Sequence, residues 1–384
     1  MKIFRNSILA AAALVLGLTS CNNDEVVDHG TKTVTIKIAS AAAPKAIQAP
    51  GTATSVVLNA NDGHIFLIAP DNSVINRVGL NTTQAGGTGQ VLNSVSSSAR
   101  VFIVANTASD AAANTALTTA TTFAQIQAIT TSVASYQAMS YTAVAVSNVS
   151  GAPVAISVTS PSTANVTVAL SPVISRLELV DITGGIYGAG SANQTRITGF
   201  EVLGIALDAY SQNFTYTGTG LVGTTAPAQP LFEVNQVQLA SWTGISDLQP
   251  SAGAWSATST YPNPTDYPVF GLGSNVWAYN VAATVNAPRL VIAVANVTVD
   301  TSSDSGATWT ASTTYASGTH YLTIGSYTGF SGNFVRGNIY SIPAGALVFN
   351  TSHLHSTPNP TDIDLTVQLT INDWVLNTLT PGLE

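Results

Sequence analysis

The stretch TKTVTIKIAS at residues 31–40 alternates apolar and polar side chains, and this alternation indicates the fold class of the chain. Val34, Ile36 and Ile38 point to one side of an extended strand, and the Thr and Lys residues between them point to the other. Such a pattern is typical of a β-strand that buries one face in a core. The stretch therefore predicts a β-strand that contributes three large apolar side chains to the interior.

Short apolar runs of the same kind recur along the chain, separated by loops rich in Gly, Ser, Thr and Pro. They predict strands at residues 55–58, 64–69, 100–105, 154–158, 166–170, 176–182, 195–207, 276–285, 289–299, 321–324, 338–342 and 364–371. Only residues 120–133 carry apolar side chains at helical spacing. We expect an all-β protein with a minor α content: two tandem β-sandwich-like domains, with one short helix in the N-terminal domain.

Composition bounds the number of domains and the kinds of partner. A chain of 384 residues exceeds what one hydrophobic core usually fills, and we expect domains at residues 46–162 and 163–384. Only 8% of the residues are charged and the net charge is −8, so the basic surface that nucleic acid requires is missing. Cys21 is the single cysteine, which excludes an intramolecular disulfide and a metal site built on cysteines.

The first 21 residues have the pattern of a lipoprotein signal peptide. Lys2 and Arg5 precede an apolar run at residues 8–18, which is too short to span a bilayer permanently. The run ends in Leu-Thr-Ser-Cys21, a lipobox-like sequence that predicts cleavage before Cys21 and acylation of its thiol, anchoring the precursor in the outer membrane. The alternative is an ordinary signal peptide with an incidental cysteine. We expect residues 22–45 to form an acidic tether followed by a removable first strand.

For each motif that suggests catalysis or ligand binding, the sequence around it favours a purely structural interpretation. Residues 218–223 match GxGxxG, but Pro227 follows where a phosphate-binding helix would be needed. His353 and His355, with a nearby aspartate, have the residue types of a metal site, but they lie in a sequence typical of a polar loop. No GxSxG motif or other nucleophile–base pattern is present. We expect no enzymatic activity, no catalytic residue, no cofactor and no metal.

Several segments, taken in order, resemble a known family. They are ARVFIVANT at residues 99–107, VTVALSPVISRLELVDI at 166–182, FVRGNIYSI at 334–342 and DLTVQLTINDWVL at 364–376, preceded by the lipobox and the first strand. In this order they resemble the fimbrillins of Bacteroidales, the subunits of type V pili. The acidic Asn22-Asn-Asp-Glu25 also resembles the surface-export tag of lipoproteins from this bacterial group, although a solvated linker explains it equally well.

The resemblance implies a way of assembly. Fimbrillins are exported as lipoproteins, and a trypsin-like protease then cuts the loop after the first strand. The matching bond here lies between Lys45 and Ala46, in the small-residue segment AAAPKAIQAPG. The best-known members carry Arg at this position, so the Lys in this chain fits a trypsin-like pocket but not a strictly Arg-specific one.

Removal of residues 31–45 would take one strand from a sheet and leave an apolar groove with two unpaired edges. By resemblance, part of the C-terminal region of a neighbouring subunit fills this groove. The proposed donor residues are Leu365, Val367, Leu369, Ile371, Trp374, Val375 and Leu376. The alternative is that both segments are permanent strands of one monomer, which explains the alternation equally well.

The resemblance thus implies a structural subunit of a cell-surface type V pilus, trimmed and polymerised by strand exchange and supporting adhesion. Its partners would be copies of itself or other pilin subunits, the trypsin-like protease and an adhesion target on a host or another bacterium. A second hypothesis is an unprocessed surface lipoprotein, either a pilus anchor or a module that binds a glycan or host protein. The aromatic side chains between Trp255 and Tyr279 would form its binding surface.

Overall fold

The computed structural model describes residues 31–39, 55–96, 99–136, 144–158, 163–179, 181–208, 211, 213–218, 269–271, 277–282, 288–312, 315, 318–329, 334–343, 345–356, 365–368, 370–373 and 375–377. Strands far outnumber helices in these residues, which confirms the expected all-β class with a minor helix content. None of the helices in the described ranges is both long and apolar enough to cross a membrane.

The first part of the chain is built around one large sheet. Its strands are β1 (Thr31–Ala39), β2 (Ser55–Val57), β3 (Gly63–Ile68), β4 (Val74–Gly79), β5 (Gln90–Ser96), β6 (Arg100–Ala105), β7 (Thr130–Ser132), β8 (Val146–Asn148), β9 (Val154–Ala155), β10 (Ser157–Val158) and β11 (Thr163–Pro172). The nine-stranded sheet runs β4-β3-β6-β8-β11-β1-β5, with β10 beside β11 and β9 beside β6. The first strand of the chain is therefore an interior strand of this sheet.

Strands β3 and β6 form the apolar centre of this sheet because eight of their twelve residues are Val, Ile, Leu or Phe. Phe66 and Phe102 are fully buried and pair directly across the two strands. The ring of Phe102 also contacts that of Phe123 edge-on, with 5.1 Å between the ring centroids. This aromatic contact joins the sheet to a helix that covers it.

The described helices are short, and polar side chains cap them. They are α1 (Thr82–Gly86), α2 (Ala111–Thr119) and α3 (Phe123–Ala128), capped by the side chains of Asn81, Asp110 and Thr122. Helix α3 lies inside the range where one helix was expected, but it ends at Ala128 and β7 follows. Helix α2 was not expected, because its sequence AAANTALTT buries only Ala113 and Leu117.

The remainder of the chain forms several smaller sheets. Its strands are β12 (Ser175–Leu179), β13 (Asp181–Gly184), β14 (Ile186–Tyr187), β15 (Gln194–Asp208), β16 (Asn213–Thr215), β17 (Val269–Gly271), β18 (Trp277–Val281), β19 (Arg289–Ser302), β20 (Thr310–Ser312), β21 (His320–Thr328), β22 (Asn338–Ile342), β23 (Val348–Phe349), β24 (Leu365–Gln368), β25 (Thr370–Asp373) and β26 (Val375–Asn377). The sheets run β18-β12-β22-β25, β17-β13-β23 and β14-β15-β19-β21-β24, with β20 beside β19. Two further pairs, β16 with β7 and β2 with β26, connect distant parts of the sequence.

A buried polar cluster lies where β7 meets β16. The hydroxyl oxygens of Tyr136 and Tyr216 lie 3.3 Å apart, and both rings are fully buried. The Ser147 hydroxyl donates to the carbonyl oxygen of Tyr216, and the Asn280 amide donates to that of Tyr136. These bonds tie β8 and β18 to the same cluster.

Because β11 also pairs into the large sheet, that sheet extends beyond residue 162, and the division expected there stays a prediction.

Candidate strand-exchange site

Strand β1 buries the side chains that its alternation predicts. The exposed fractions of Val34, Ile36 and Ile38 are 1%, 0% and 4%, and all three join the main apolar core. Lys32 lies on the same face and is 7% exposed. An inward Lys32 was not predicted, because a charged residue does not continue an apolar pattern. Its spacing of two residues from Val34 does indicate the inward face.

Strand β1 pairs with a strand on each side. It runs parallel to β11, in a register that extends from Thr33 opposite Thr163 to Ala39 opposite Ala169. It runs antiparallel to β5, with Ile36 opposite Gln90. Both rows of its backbone hydrogen-bonding groups are therefore used, so β1 separates from the sheet only if two ladders break.

Strand β5 depends on β1 for its place in the sheet. Among the described strands, β1 is the only one that pairs with β5. The ladder between them contains a bulge, because Lys32 pairs with Val95 whereas Val34 pairs with Leu92. Ser94, inside the bulge, has a positive φ of 58°. Without β1, the strand β5 would have no strand neighbour in the described structure, and β11 would have one open edge.

Gly89, immediately before β5, lets the chain approach β1 closely. Its φ is +104°, and a Cβ atom there would lie only 2.4 Å from Cγ2 of Thr35 and 3.2 Å from Cγ of Lys37. Any larger residue would therefore collide with β1 while also adopting a strained backbone conformation. Glycine at this position allows β5 to start beside the first strand.

The proposed processing residues lie outside the described part of the chain. Lys45 and Ala46 fall between Ala39, where β1 ends, and Ser55, where β2 begins. Cys21 and the acidic tether also lie outside the described residues, as does most of the aromatic segment from Trp255 to Tyr279. Cleavage, acylation and an aromatic binding surface all stay predictions.

The proposed donor segment lies at sheet edges in this structure. Strand β24, which includes Leu365 and Val367, is the last strand of its sheet and runs parallel to β21. Strand β25, which includes Ile371, is the last strand of another sheet and runs antiparallel to β22. An edge strand is held by one ladder only, whereas β1 is held by two.

The end of the donor segment lies beside the strand that follows the processing position. Val375 and Leu376 belong to β26, which runs parallel to β2. Leu369 and Trp374 lie outside the described residues. The described donor residues thus lie on three consecutive strands, and none of these strands pairs with β1.

The residues considered for metal binding have other roles in the structure. Nδ1 of His353 accepts a hydrogen bond from the backbone N–H of Asn350 at 3.1 Å, and the backbone of His355 pairs with that of Tyr321. The aspartates nearest to them in the sequence, Asp362 and Asp364, lie outside the described residues. Within the described residues, no group of three His, Cys, Asp or Glu side chains is placed to hold a metal ion.

The glycine-rich motif at residues 218–223 is described only at its first position. Gly218 has a φ of +65°, and a Cβ atom there would lie 2.5 Å from Nη1 of Arg336. The Arg336 guanidinium lies over this glycine and donates to the carbonyl oxygen of Thr217 at 2.9 Å. This glycine is thus explained by packing against an arginine.

Comparison with solved structures shows a similar fold over nearly the whole chain. A candidate cell adhesion protein of Bacteroides eggerthii matches with a TM-score of 0.51 at 16% identity, over 91% of this chain and 97% of that one. A candidate cell adhesion protein of Parabacteroides distasonis also matches with a TM-score of 0.51, at 10% identity over 90% of this chain and 99% of that one. The chain has the fold of these two proteins. The resemblance to proteins of this bacterial group is therefore confirmed at the level of the fold.

A fimbrilin of Porphyromonas gingivalis matches with a TM-score of 0.49 at 14% identity, over 92% of this chain and 100% of that one. No protein-family model matches the sequence. No curated protein matches it either.

Proposed function

We propose that this chain is a structural subunit of a cell-surface pilus, exported as a lipoprotein, trimmed after Lys45 and polymerised by strand exchange. The observation that carries the proposal is the place of β1, which is the first described strand of the chain and an interior strand of its sheet. A segment at the start of a chain can be removed by one cut. Its removal would leave a groove with an edge on each side.

The size of the groove supports a stable junction between subunits. Burial of one Val or Ile side chain contributes about 1.5–3 kcal/mol, so three such side chains contribute roughly 5–9 kcal/mol before ladder hydrogen bonds and ordering costs. Val34, Ile36 and Ile38 occupy these positions in the precursor. An incoming strand with the same alternation, such as Leu365–Gln368 extended along the tail, would replace them.

The edge position of the tail strands supports their role as donors. Release of the donor segment breaks one ladder for each of its strands, which are β24 on β21, β25 on β22 and β26 on β2. The interior strands β21 and β22 keep their other neighbours. Release of β1 without a cut would instead break two ladders at once. The donor strands can thus leave one at a time, each from a position with a single neighbour, whereas β1 lies between two strands. This difference explains why the acceptor would need proteolysis.

Adhesion and surface location belong to the same proposal. Two solved proteins with this fold are described as candidate cell adhesion proteins. The lipobox-like sequence around Cys21 places the precursor at a membrane before trimming, and the cut after Lys45 would separate the subunit from its lipid. In this account the protein is a building block with no catalytic role.

The proposal is tested by treating residues 22–384, with Cys21 absent, with a trypsin-like protease. Cleavage after Lys45 should convert the monomer into polymers that appear as ladders sensitive to SDS and heat. A Lys45→Gln variant should stay monomeric, because its remaining N-terminal lysines lie on the paired strand β1. A chain that lacks residues 365–384 should be cut normally and also stay monomeric. Ladders from the Lys45→Gln variant would overturn the proposal.

Recovery of the protein from the cell surface separates the two functional hypotheses. An amino terminus at Ala46 is expected for a polymerised subunit. An acylated Cys21 at the amino terminus would instead indicate the unprocessed anchor or binding module.

A further inference from the structure

Lysine and arginine are distributed unevenly along the chain. Of the 11 Lys and Arg residues, five lie before residue 46, and these include every lysine. The rest of the chain carries no lysine and six arginines, which are Arg77, Arg100, Arg176, Arg196, Arg289 and Arg336. Residues 197–288 carry neither residue type. They include the two longest loops that the Gly, Ser, Thr and Pro content of the sequence predicts, at residues 217–230 and 250–268.

We infer that residues 46–384 form a body that Lys- and Arg-specific proteases cannot cut while it is folded. Such an enzyme would therefore trim this chain only before residue 46. The inference deepens the proposed function and rests on it. It explains how a protease that cleaves after any accessible Lys or Arg can cut the subunit once and leave the rest of the chain intact. It assigns selectivity to the substrate rather than to the protease.

The sequence itself does not protect these arginines. A proline directly after the basic residue would block a trypsin-like enzyme, but Val, Leu, Ile or Gly follows each of the six arginines. An unfolded chain would thus be cut at all six places. Protection must come from the fold, because a protease acts on a segment that is locally open.

Three of the arginines lie on strands that pair on both sides. Arg100 on β6 lies opposite Ile68 on β3 and Ala155 on β9. Arg196 on β15 lies opposite Ile186 on β14 and Asp300 on β19. To bind either arginine, a protease would have to break two ladders.

Arg176 is the third of these interior arginines and the most deeply buried of them. It lies on β12 between Asn280 on β18 and Ile339 on β22. Its side chain is 1% exposed and forms an ion pair with Glu178 at 2.7 Å. Access to its peptide bond would require the whole four-stranded sheet to open.

The guanidinium groups of Arg100 and Arg196 are also bound, which hides the group that a protease pocket recognises. Nη2 of Arg100 donates to the carbonyl oxygen of Ala69 at 2.6 Å and to Oδ1 of Asn72 at 2.8 Å. Arg196 donates to Oδ2 of Asp300 from Nε at 3.0 Å and from Nη2 at 2.7 Å. Its guanidinium also lies 4.5 Å from the ring centroid of Trp309.

Arg336 lies in the turn before β22, and its own hydrogen bonds hold it. Nε donates to the carbonyl oxygen of Pro172 at 3.2 Å, and Nη1 donates to that of Thr217 at 2.9 Å. Nη2 donates to the hydroxyls of Ser147 at 3.2 Å and of Ser171 at 3.1 Å. A protease would need to extract this side chain from three separate segments before it could bind it.

The two remaining arginines have less protection. Arg289 is the first residue of β19 and lies opposite Asp208 on β15. Arg77 lies on β4, the last strand of the nine-stranded sheet, and its side chain is exposed. Arg77 pairs with Phe66 on one side only among the described strands, so it is the place where a cut would come first.

The experiment compares three proteases on residues 22–384 with Cys21 absent. A Lys-specific protease and trypsin should each give one stable product that begins at Ala46, whereas an Arg-specific protease should leave the chain intact. Cleavage after any of the six arginines should be at least about a hundredfold slower than after Lys45, since opening of a paired strand must come first. The same chain unfolded in urea should be cut after all six.

Two variants make the test sharper. Thr225→Lys places a lysine in the stretch without basic residues, in a loop expected from the sequence, and trypsin should now divide the chain there. Arg77→Gln should leave the pattern of products unchanged, because cleavage after Arg77, although faster than after the other arginines, is expected to be much slower than after Lys45. Rapid cleavage of the folded chain at an arginine, or no new cut in Thr225→Lys, would overturn the inference.

The protease experiment can fail or succeed independently of the polymerisation experiment that tests the proposed function. A trimmed chain that resists the proteases but stays monomeric would refute polymerisation and leave the protease resistance standing. A trimmed chain that polymerises and is then cut at its arginines would refute only the resistance.

Discussion

Ile36 is fully buried between two neighbouring strands of its sheet, although the proposed function places it on a segment that is later discarded. Its side chain must therefore stabilise the precursor and be irrelevant to the trimmed subunit. The sequence alone predicts the inward direction of Ile36, Val34 and Ile38, because alternation is a local property. It did not predict the inward Lys32, since polarity and spacing give opposite signals there.

Substitution Ile36→Ala should lower the free energy of unfolding of the precursor by about 2–5 kcal/mol, because it leaves a cavity beside β5 and β11. Lys37→Ala, on the exposed side of the same strand, should change it by less than about 0.5 kcal/mol. Chemical denaturation of both variants, made in a chain with an intact Lys45–Ala46 bond, measures the difference. Equal effects of the two substitutions would show that β1 does not contribute to the core.

Burial at the Tyr136–Tyr216 cluster predicts sensitivity to alkaline pH. Burial raises the pKa of Tyr216 from its ordinary value of 10.0 to about 12, and it also raises the pKa of Tyr136. The folded state thus favours the neutral phenol. This stabilisation is complete below the unfolded-state pKa and is lost as the pH rises toward the folded-state pKa.

The free energy of unfolding should therefore fall as the pH rises from about 10 to about 12, by up to about 1.4 kcal/mol per pH unit for each such tyrosine. The substitution Tyr216→Phe should make this fall less steep. Tyr187→Phe, at a tyrosine that is 52% exposed, should leave the slope unchanged. Urea denaturation across this pH range distinguishes them, and an unchanged slope in Tyr216→Phe would contradict the assignment.

At the scale of elements, β5 is one of several strands that the sequence did not predict, as are β4 and β8. Its sequence QVLNSVS loses its alternation at the bulge around Ser94, and only the pairing with β1 shows where the strand lies. By contrast, β6 and β22 were predicted at residues 100–105 and 338–342, as the structure has them. Regular strands of large apolar residues are predictable because each residue contributes to the alternating apolar pattern. A strand with a bulge, such as β5, depends instead on pairing with a strand that is distant in the sequence.

Removal of β1 should release β5 before any other strand. In a chain trimmed at Lys45 and kept dilute, the amides of Gln90–Ser96 should exchange with deuterium much faster than in the precursor. The amides of Gly63–Ile68 on β3, which keeps both neighbours, should stay protected. A peptide of residues 31–39 should restore protection, and a scrambled peptide of the same composition should not. Persistent protection of β5 after trimming would mean that it does not depend on β1.

At the scale of the whole molecule, the all-β class was predictable from the repeated short apolar runs, but the partners of the tail were not. Alternation at residues 364–371 predicts strands and leaves open which sheet they join. The structure pairs them with β21 and β22 in the same chain, which is an edge position in each sheet. Strand exchange would move the same residues to the edges of β5 and β11 in another copy. The two arrangements differ in which residues neighbour Val367.

A photoreactive residue substituted at position 367 reports directly which strand lies beside the tail, through the partner with which it cross-links. In the precursor, Val367 lies opposite Tyr327, so the cross-link should form within one chain at β21. After trimming at Lys45 and polymerisation, the cross-link should join two chains and map to Gln90–Ser96 or Thr163–Pro172 of the neighbour. Cross-links that still form within one chain at β21, in a sample that has been trimmed and has polymerised, would contradict strand exchange by the tail.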